Sequence, residues 1–308
     1  RHFRQTLETF RPDVVWVIPH GWSIPPLARV LPAAGVPFHV SVHDYPDVRG
    51  QVARLGSIRC QRLAEWVDQL HARAASRDAI CQAMVEDLRA RTGAAGTVNR
   101  AGLEPEDLTY LAARVAQPPG PIRIAYPGTI IVEEEFAFFV RTLAEIRAQL
   151  PRPVTLEFFG GHSYRSRLWF DPAWMNEHGN LATAELLAAL RNCTWGFVPM
   201  GLADDDPRYN QFSLPTKFVS YLQAGLPVIA LGHPQSSVMR AIRGFRLGVS
   251  RTDGDADGWR QDLLAALLRP DPRAEFGPDL LRCAQSDFNA PEMRQALWEN
   301  FKKQKTES

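Results

Sequence analysis

The sequence predicts an α/β protein built from two parallel-sheet domains, each a doubly wound alternation of strands and helices. Three observations carry this. Short apolar runs alternate with amphipathic stretches on both sides of Ala116-Gln117-Pro118-Pro119-Gly120-Pro121, a segment with the composition of a linker. The 308 residues suffice for two cores at one domain per ~150 residues. Glycines and polar side chains collect just after the apolar runs, where open α/β sheets hold their ligands.

The elements follow in order. Phe3 to Phe10 is an amphipathic helix. Val14 to Ile18 is an uninterrupted apolar run ending at Pro19-His20-Gly21, as a buried parallel strand feeding a loop would be. Pro26 to Leu31 is a short helix, and Pro37 to Val42 a second strand that runs into His43-Asp44. Gln51 to Ala75 has apolar residues at helical spacing throughout and is expected to be one long helix. Ala79 to Cys81 is a strand, Met84 to Arg91 a helix stopped by Gly93, and Gly96 to Asn99 a short strand. After the linker the pattern restarts with a strand at Ile122 to Tyr126, a turn at Gly128 and a helix from Phe136 to Leu150. Val154 to Phe159 is a strand ending in Gly160-Gly161-His162, Thr183 to Arg191 a helix, and Trp195 to Pro199 a strand. Gly258 to Leu268 and Asn289 to Phe301 are helices, the second with Met293, Leu297, Trp298 and Phe301 on one side.

Composition excludes several classes. A net charge of +1 provides no global field for nucleic acid or an acidic membrane. Cys60, Cys81, Cys193 and Cys283 are far apart and form no C-x-x-C pair, which argues against a zinc ribbon and for reduced thiols in a cytoplasmic protein. No apolar run approaches the ~20 residues of a membrane span, which leaves only peripheral membrane contact open. The chain opens without Met inside a helix, so part of the first domain is expected to precede residue 1.

The stretch from Ser213 to Ala230 carries the most chemical information. Ser213 is positioned to cap a helix whose first turn holds Pro215, and Gly225 to end it before Pro227. Val228 to Leu231 then reads as a buried strand. At 100° per residue, Ser213, Lys217 and Ser220 share one face beside backbone N–H groups without helical partners. That combination suits a diphosphate.

Leu-Pro-Thr-Lys, then Tyr-Leu, then Ala-Gly-Leu-Pro-Val-Ile-Ala resembles the donor-site helix of GT-B glycosyltransferases, in particular retaining family 4. The resemblance implies two Rossmann-like domains facing a cleft. They would be an incomplete acceptor-side domain at 1–115, a nucleotide-sugar-binding domain at 116–285, and a terminal helix at 286–308 crossing back to the first. It implies transfer of a sugar from a nucleotide diphosphate sugar to a hydroxyl on a glycan, lipid or small molecule, with no metal or other cofactor. Gly128 and Thr129 would approach the phosphates together with Ser213, Thr216, Lys217 and Ser220. His43, followed by Asp44, would act near the transferred sugar or the acceptor hydroxyl. His20, His162, Arg208 and Asn210 are candidate sugar or acceptor contacts.

Acidic runs have simpler readings. Asp204-Asp205-Asp206 lacks the interleaved spacing of a cation loop, and Glu133-Glu134-Glu135 places negative charge at a helix start. The family's two glutamates, eight positions apart, fall on Phe212 and Ser220, and its basic pair after the first donor-domain strand is absent from Thr129 to Glu135. Lys217 is therefore expected to carry most of the phosphate charge, helped by Arg208 or Arg165. These departures keep two alternatives open, a non-catalytic nucleotide-sugar-binding member and a GT-B-like epimerase or hydrolase.

Overall fold

The computed structural model describes residues 2–113, 116 and 120–306. It divides into two compact α/β units. The first comprises Arg1–Arg100, Asp206–Leu214 and Ala290–Ser308, and the second Ala101–Asp205 and Pro215–Asn289. Of the linker segment, Gln117, Pro118 and Pro119 lie outside the described residues. No described helix is long and apolar enough to cross a membrane.

The first unit holds four parallel strands in the order β1-β2-β3-β4: β1 Val15–Val17, β2 Phe38–Val42, β3 Ser76–Ala79 and β4 Thr97–Val98. Val17, Phe38, Val40 and Val42 point to one face and pack on Leu63, Val67 and Leu70 of the helix Ser57–Arg73. The opposite face of β2 and β3 is polar. His39 lies fully buried between Ser76 Oγ (2.7 Å) and Asp78 Oδ2 (2.8 Å), so both ring nitrogens are satisfied and the burial is tolerated. Phe301, from the terminal helix Ala290–Thr306, covers His39 edge-on at 5.1 Å. Trp298 in the same helix is 62% exposed, so the one-sided apolar face expected there does not include it.

Two further expectations change here. The single helix from Gln51 to Ala75 is two helices, Arg49–Leu55 and Ser57–Arg73, broken at Gly56. Gly56 has φ +83°, a backbone conformation that no side-chain-bearing helical residue adopts cheaply. The strand placed at Ala79 to Cys81 runs three residues earlier, at Ser76–Ala79, because Cys81 already occupies the N-cap position of the next helix, Gln82–Thr92.

The second unit holds six parallel strands: β5 Ile122–Pro127, β6 Val154–Phe159, β7 Met175–Glu177, β8 Trp195–Pro199, β9 Val228–Leu231 and β10 Gly248–Arg251. Their order is β10-β9-β8-β5-β6-β7. The chain thus winds outward from β5 in one direction, returns to β8, and winds outward in the other. Between β5 and β8 lies the reversal that, in doubly wound sheets, leaves a crevice beyond the carboxyl ends of the strands. An aromatic core backs it, with Phe139 of helix Glu133–Ile146 stacked on Phe197 of β8 at 3.7 Å.

The helix Thr216–Gln223 is locked onto this sheet by Tyr221. Its hydroxyl donates to the carbonyls of Ala125 (2.8 Å) and Phe197 (3.0 Å), one on each of the two central strands. Gly196 makes room for the ring, since a β-carbon there would stand 2.5 Å from it. Gly225, at φ +63°, ends the helix, with Gly225 N–H donating to Leu222 O and Leu226 N–H to Tyr221 O. This is the paired bonding of a Schellman C-cap.

Candidate functional site

Lys217 sits in the first turn of that helix and reaches back across the mouth of β5. Its Nζ lies 3.1 Å from Tyr126 Oη and 3.5 Å from the Thr129 carbonyl, 4.3 Å above the centre of the Tyr126 ring. Tyr126 Oη donates in turn to Thr129 O at 3.2 Å. Among the described residues no carboxylate pairs with Lys217. Burial alone lowers its pKa from 10.5 to about 8. A half-buried ammonium whose company among the described residues is a π-face, a phenol and a carbonyl has no counter-charge among them.

The backbone beside it is open. Gly128 follows β5 at φ +85°, and no atom lies within 4 Å of where its β-carbon would stand. The glycine therefore permits the left-handed turn, and the space above it is free. No side chain caps the helix, whose N-cap position is Pro215, so the N–H groups of Thr216 and Lys217 stay available. Ser213 is not the cap, in contrast to the sequence reading. It closes the preceding helix, Pro207–Phe212, and belongs to the first unit. Proline at the N-cap displaces it, because the extended Pro215 backbone (ψ 128°) starts the helix two residues later. Ser220 Oγ donates weakly to Thr216 O at 3.4 Å.

Several residues brace this mouth without having been legible as site residues. Tyr126 read only as a strand position. Tyr164 Oη accepts from Ile130 N–H (3.1 Å), and Glu177, at the end of β7, accepts from Ser163 Oγ (3.0 Å) and Tyr164 N–H. Glu135 accepts from Leu202 N–H at 2.8 Å, which ties the start of its helix to the loop after β8. Glu133 accepts from Trp169 Nε1, so two of the three glutamates at that helix start have specific partners. His162 is exposed and has no partner among the described residues.

The remaining candidates gather in the first unit, at the carboxyl ends of β1 and β2. A cavity of about 230 Å³ is walled by His20, His43, Asp44, Arg208 and Ser213. Tyr45 and Phe212 form part of its apolar wall. Neither His43 nor Asp44 has a hydrogen-bond partner among the described residues. Asn210 does not join them; it is 1% exposed within its helix. Phe212 packs against Tyr45 at 5.3 Å in the hydrophobic core of this unit, a reason for an aromatic residue where the resemblance implies a glutamate.

Neither arginine expected to assist Lys217 has an unmatched charge. Arg208 is ion-paired with Asp47 and lies over the Tyr45 ring at 4.8 Å. Arg165 pairs with Glu177 at 3.2 Å. In the acidic run, Asp206 accepts from Tyr209 N–H and so caps the Pro207–Phe212 helix.

No protein-family model matches the chain, and no curated protein matches it in sequence. Solved structures do match in fold. Sucrose-phosphate synthase from Thermosynechococcus elongatus aligns with a TM-score of 0.70 at 14% identity, over 99% of this chain and 77% of that one. Trehalose 6-phosphate synthase from Burkholderia multivorans aligns at 0.66 and 13% identity, over 98% and 74%. WaaG, a glycosyltransferase involved in lipopolysaccharide biosynthesis, aligns at 0.59 and 10%, over 89% and 80%. With its two parallel-sheet units, the chain has the GT-B glycosyltransferase fold.

Proposed function

We propose that this chain is a glycosyltransferase that moves a sugar from a nucleoside diphosphate sugar to a hydroxyl acceptor. The observation that carries the proposal is Lys217, a half-buried ammonium with no counter-charge among the described residues, at the strand-order reversal of the second unit. The diphosphate supplies the missing charge. It is held by Lys217, by the open N–H groups of Thr216 and Lys217, and by the backbone at Gly128 and Thr129. As the glycosidic C–O bond breaks, negative charge builds on the leaving diphosphate, and groups already in place there lower the barrier. This reading needs no metal ion for that task. His43 and Asp44, with ring nitrogens and carboxylate uncommitted, are the groups proposed to hydrogen-bond the reacting hydroxyl.

A second reading is a nucleotide-sugar-binding protein without turnover. Phe212, buried at one of the positions where the resemblance implies a glutamate, favours it. The two separate in an assay of transfer from a panel of nucleotide sugars, run beside calorimetric titration with UDP and GDP. Lys217→Ala is expected to weaken diphosphate binding by roughly 1.5–3 kcal/mol, the range for a charge-assisted hydrogen bond, and to leave nucleoside binding nearly unchanged. Equal losses for both ligands would make Lys217 a folding residue and overturn the assignment. Diphosphate binding without transfer to any acceptor would select the second reading.

A further inference from the structure

The cavity of the first unit has a charge pattern that specifies its ligand. Arg208 is the one cation in its wall among the described side chains, and Asp47 already neutralises it. Behind the wall, Arg91 bridges Asp68 and Asp87 and donates to Tyr45 Oη at 2.6 Å. With the exposed Asp44, four carboxylates face two guanidinium groups among the described side chains. One oxygen each of Asp47 and Asp68 is buried with no hydrogen-bond partner. An incoming phosphate or carboxylate would meet this surplus of negative charge and would have to take Arg208 from Asp47, exposing another unpaired carboxylate. Hydroxyl groups face no such cost, because His20, His43, Asp44 and Gln51 offer both donors and acceptors.

We propose that this cavity binds an uncharged sugar ring, and that the Asp47–Arg208 pair with Asp44 excludes phosphorylated ones. The inference rests on the transferase reading for the ligand's role as acceptor, but its binding test is independent of the nucleotide site.

The intact chain is titrated at pH 8 with glucose, galactose, mannose and N-acetylglucosamine and with their 6-phosphates. Binding is read from the His43 imidazole proton resonances. At least one uncharged sugar is expected to bind about tenfold more tightly than its 6-phosphate, the factor that 1.4 kcal/mol represents. Asp47→Asn releases Arg208 and is expected to tighten 6-phosphate binding about tenfold, with little change for the uncharged sugar. Asp44→Asn, at an exposed position with no partner among the described residues, tests the same rule with little risk to folding. It should help the phosphate about threefold, as a partly screened charge does. Equal or tighter binding of the phosphates by the unmodified chain, or no response of His43 to any of the eight sugars, overturns the proposal. Failure to bind UDP or GDP in a separate titration removes the transferase reading and leaves the sugar site standing.

Discussion

In the proposed function, Lys217 is a single residue that couples stability to diphosphate binding. Its pKa of about 8 results from burial without a carboxylate partner, so in the free protein the charge is lost as pH rises through about 8. Diphosphate affinity should therefore be high below pH 7 and fall above pH 8. Lys217→Arg, which stays charged, should flatten that profile. A profile for the unmodified chain that is flat from pH 7 to 9 would exclude Lys217 as the phosphate group. The same burial strains the empty site. Between about pH 8 and 10.5 the unfolded chain holds a proton that the native one has lost, so this residue makes stability rise with pH there. Lys217→Met should accordingly raise stability near pH 7 by about 0.5–2 kcal/mol while weakening diphosphate binding by roughly 1.5–3 kcal/mol, the usual trade at functional sites. Thermal melting of the two proteins checks it. Lys217 itself was legible in the sequence, since Leu-Pro-Thr-Lys carries its own local signal. The pairing of Arg208 with Asp47 was not, because the two are 161 positions apart and nothing local in either segment indicates the other.

At the scale of elements, the helix Thr216–Gln223 is positioned through one ring. Tyr221 spans β5 and β8 with a shared hydroxyl proton and fills the space left by Gly196. Gly196→Ala would put a methyl group 2.5 Å from that ring, in a core with no slack. We expect a loss of about 1–3 kcal/mol or more, measured by urea denaturation, together with weaker diphosphate binding because the helix start moves. Tyr221→Phe keeps the packing but leaves two buried carbonyls short of a donor, and should cost about 1–3 kcal/mol. An unchanged midpoint for both variants would mean that the helix is held elsewhere. Most strands were legible because buried parallel strands are short apolar runs; the edge strands β7 and β10, which are only partly buried, carry no such run and have no counterpart in the sequence reading. The helices Pro105–Ala112, Pro207–Phe212 and Pro272–Asp287 were missed, and all three begin with proline. Proline interrupts a helical pattern in the sequence, yet at a first helical position it is compatible with the fold. The helix Ser237–Phe245 has a local signal of its own, a Ser236 cap before Val238, Met239 and Ile242.

At the scale of the whole molecule, the alternation of strands and helices announced two parallel sheets, but it could not give their strand order. The reversal between β5 and β8 is a tertiary fact, as is the return of 206–214 and 290–308 to the first unit. Global stability should nevertheless show a feature traceable to one buried group. His71 is 1% exposed in the first unit, and its Nδ1 lies 2.9 Å from Thr92 Oγ1. The Thr92 hydroxyl already donates to Leu88 O at 2.7 Å, so His71 Nδ1 carries a hydrogen and donates to it. Burial, reinforced by Arg77 and Arg91, lowers the His71 pKa from 6.5 to about 4. Between those values the unfolded chain binds a proton that the native protein refuses. Stability from this group is thus complete above about pH 6.5 and is lost as pH falls toward 4, by at most about 3 kcal/mol. Carboxylates titrate in the lower part of the same window, so the informative quantity is the difference between the unmodified chain and His71→Gln, which keeps an N–H for Thr92 but has no proton to gain. Urea midpoints at pH 7.5, 5.5 and 4.5 should fall more steeply for the unmodified chain, with the gap between the two proteins narrowing or reversing toward pH 4.5. Parallel declines would show that His71 takes up its proton in the native state without penalty, and would overturn the assignment of this acid sensitivity to a buried neutral imidazole.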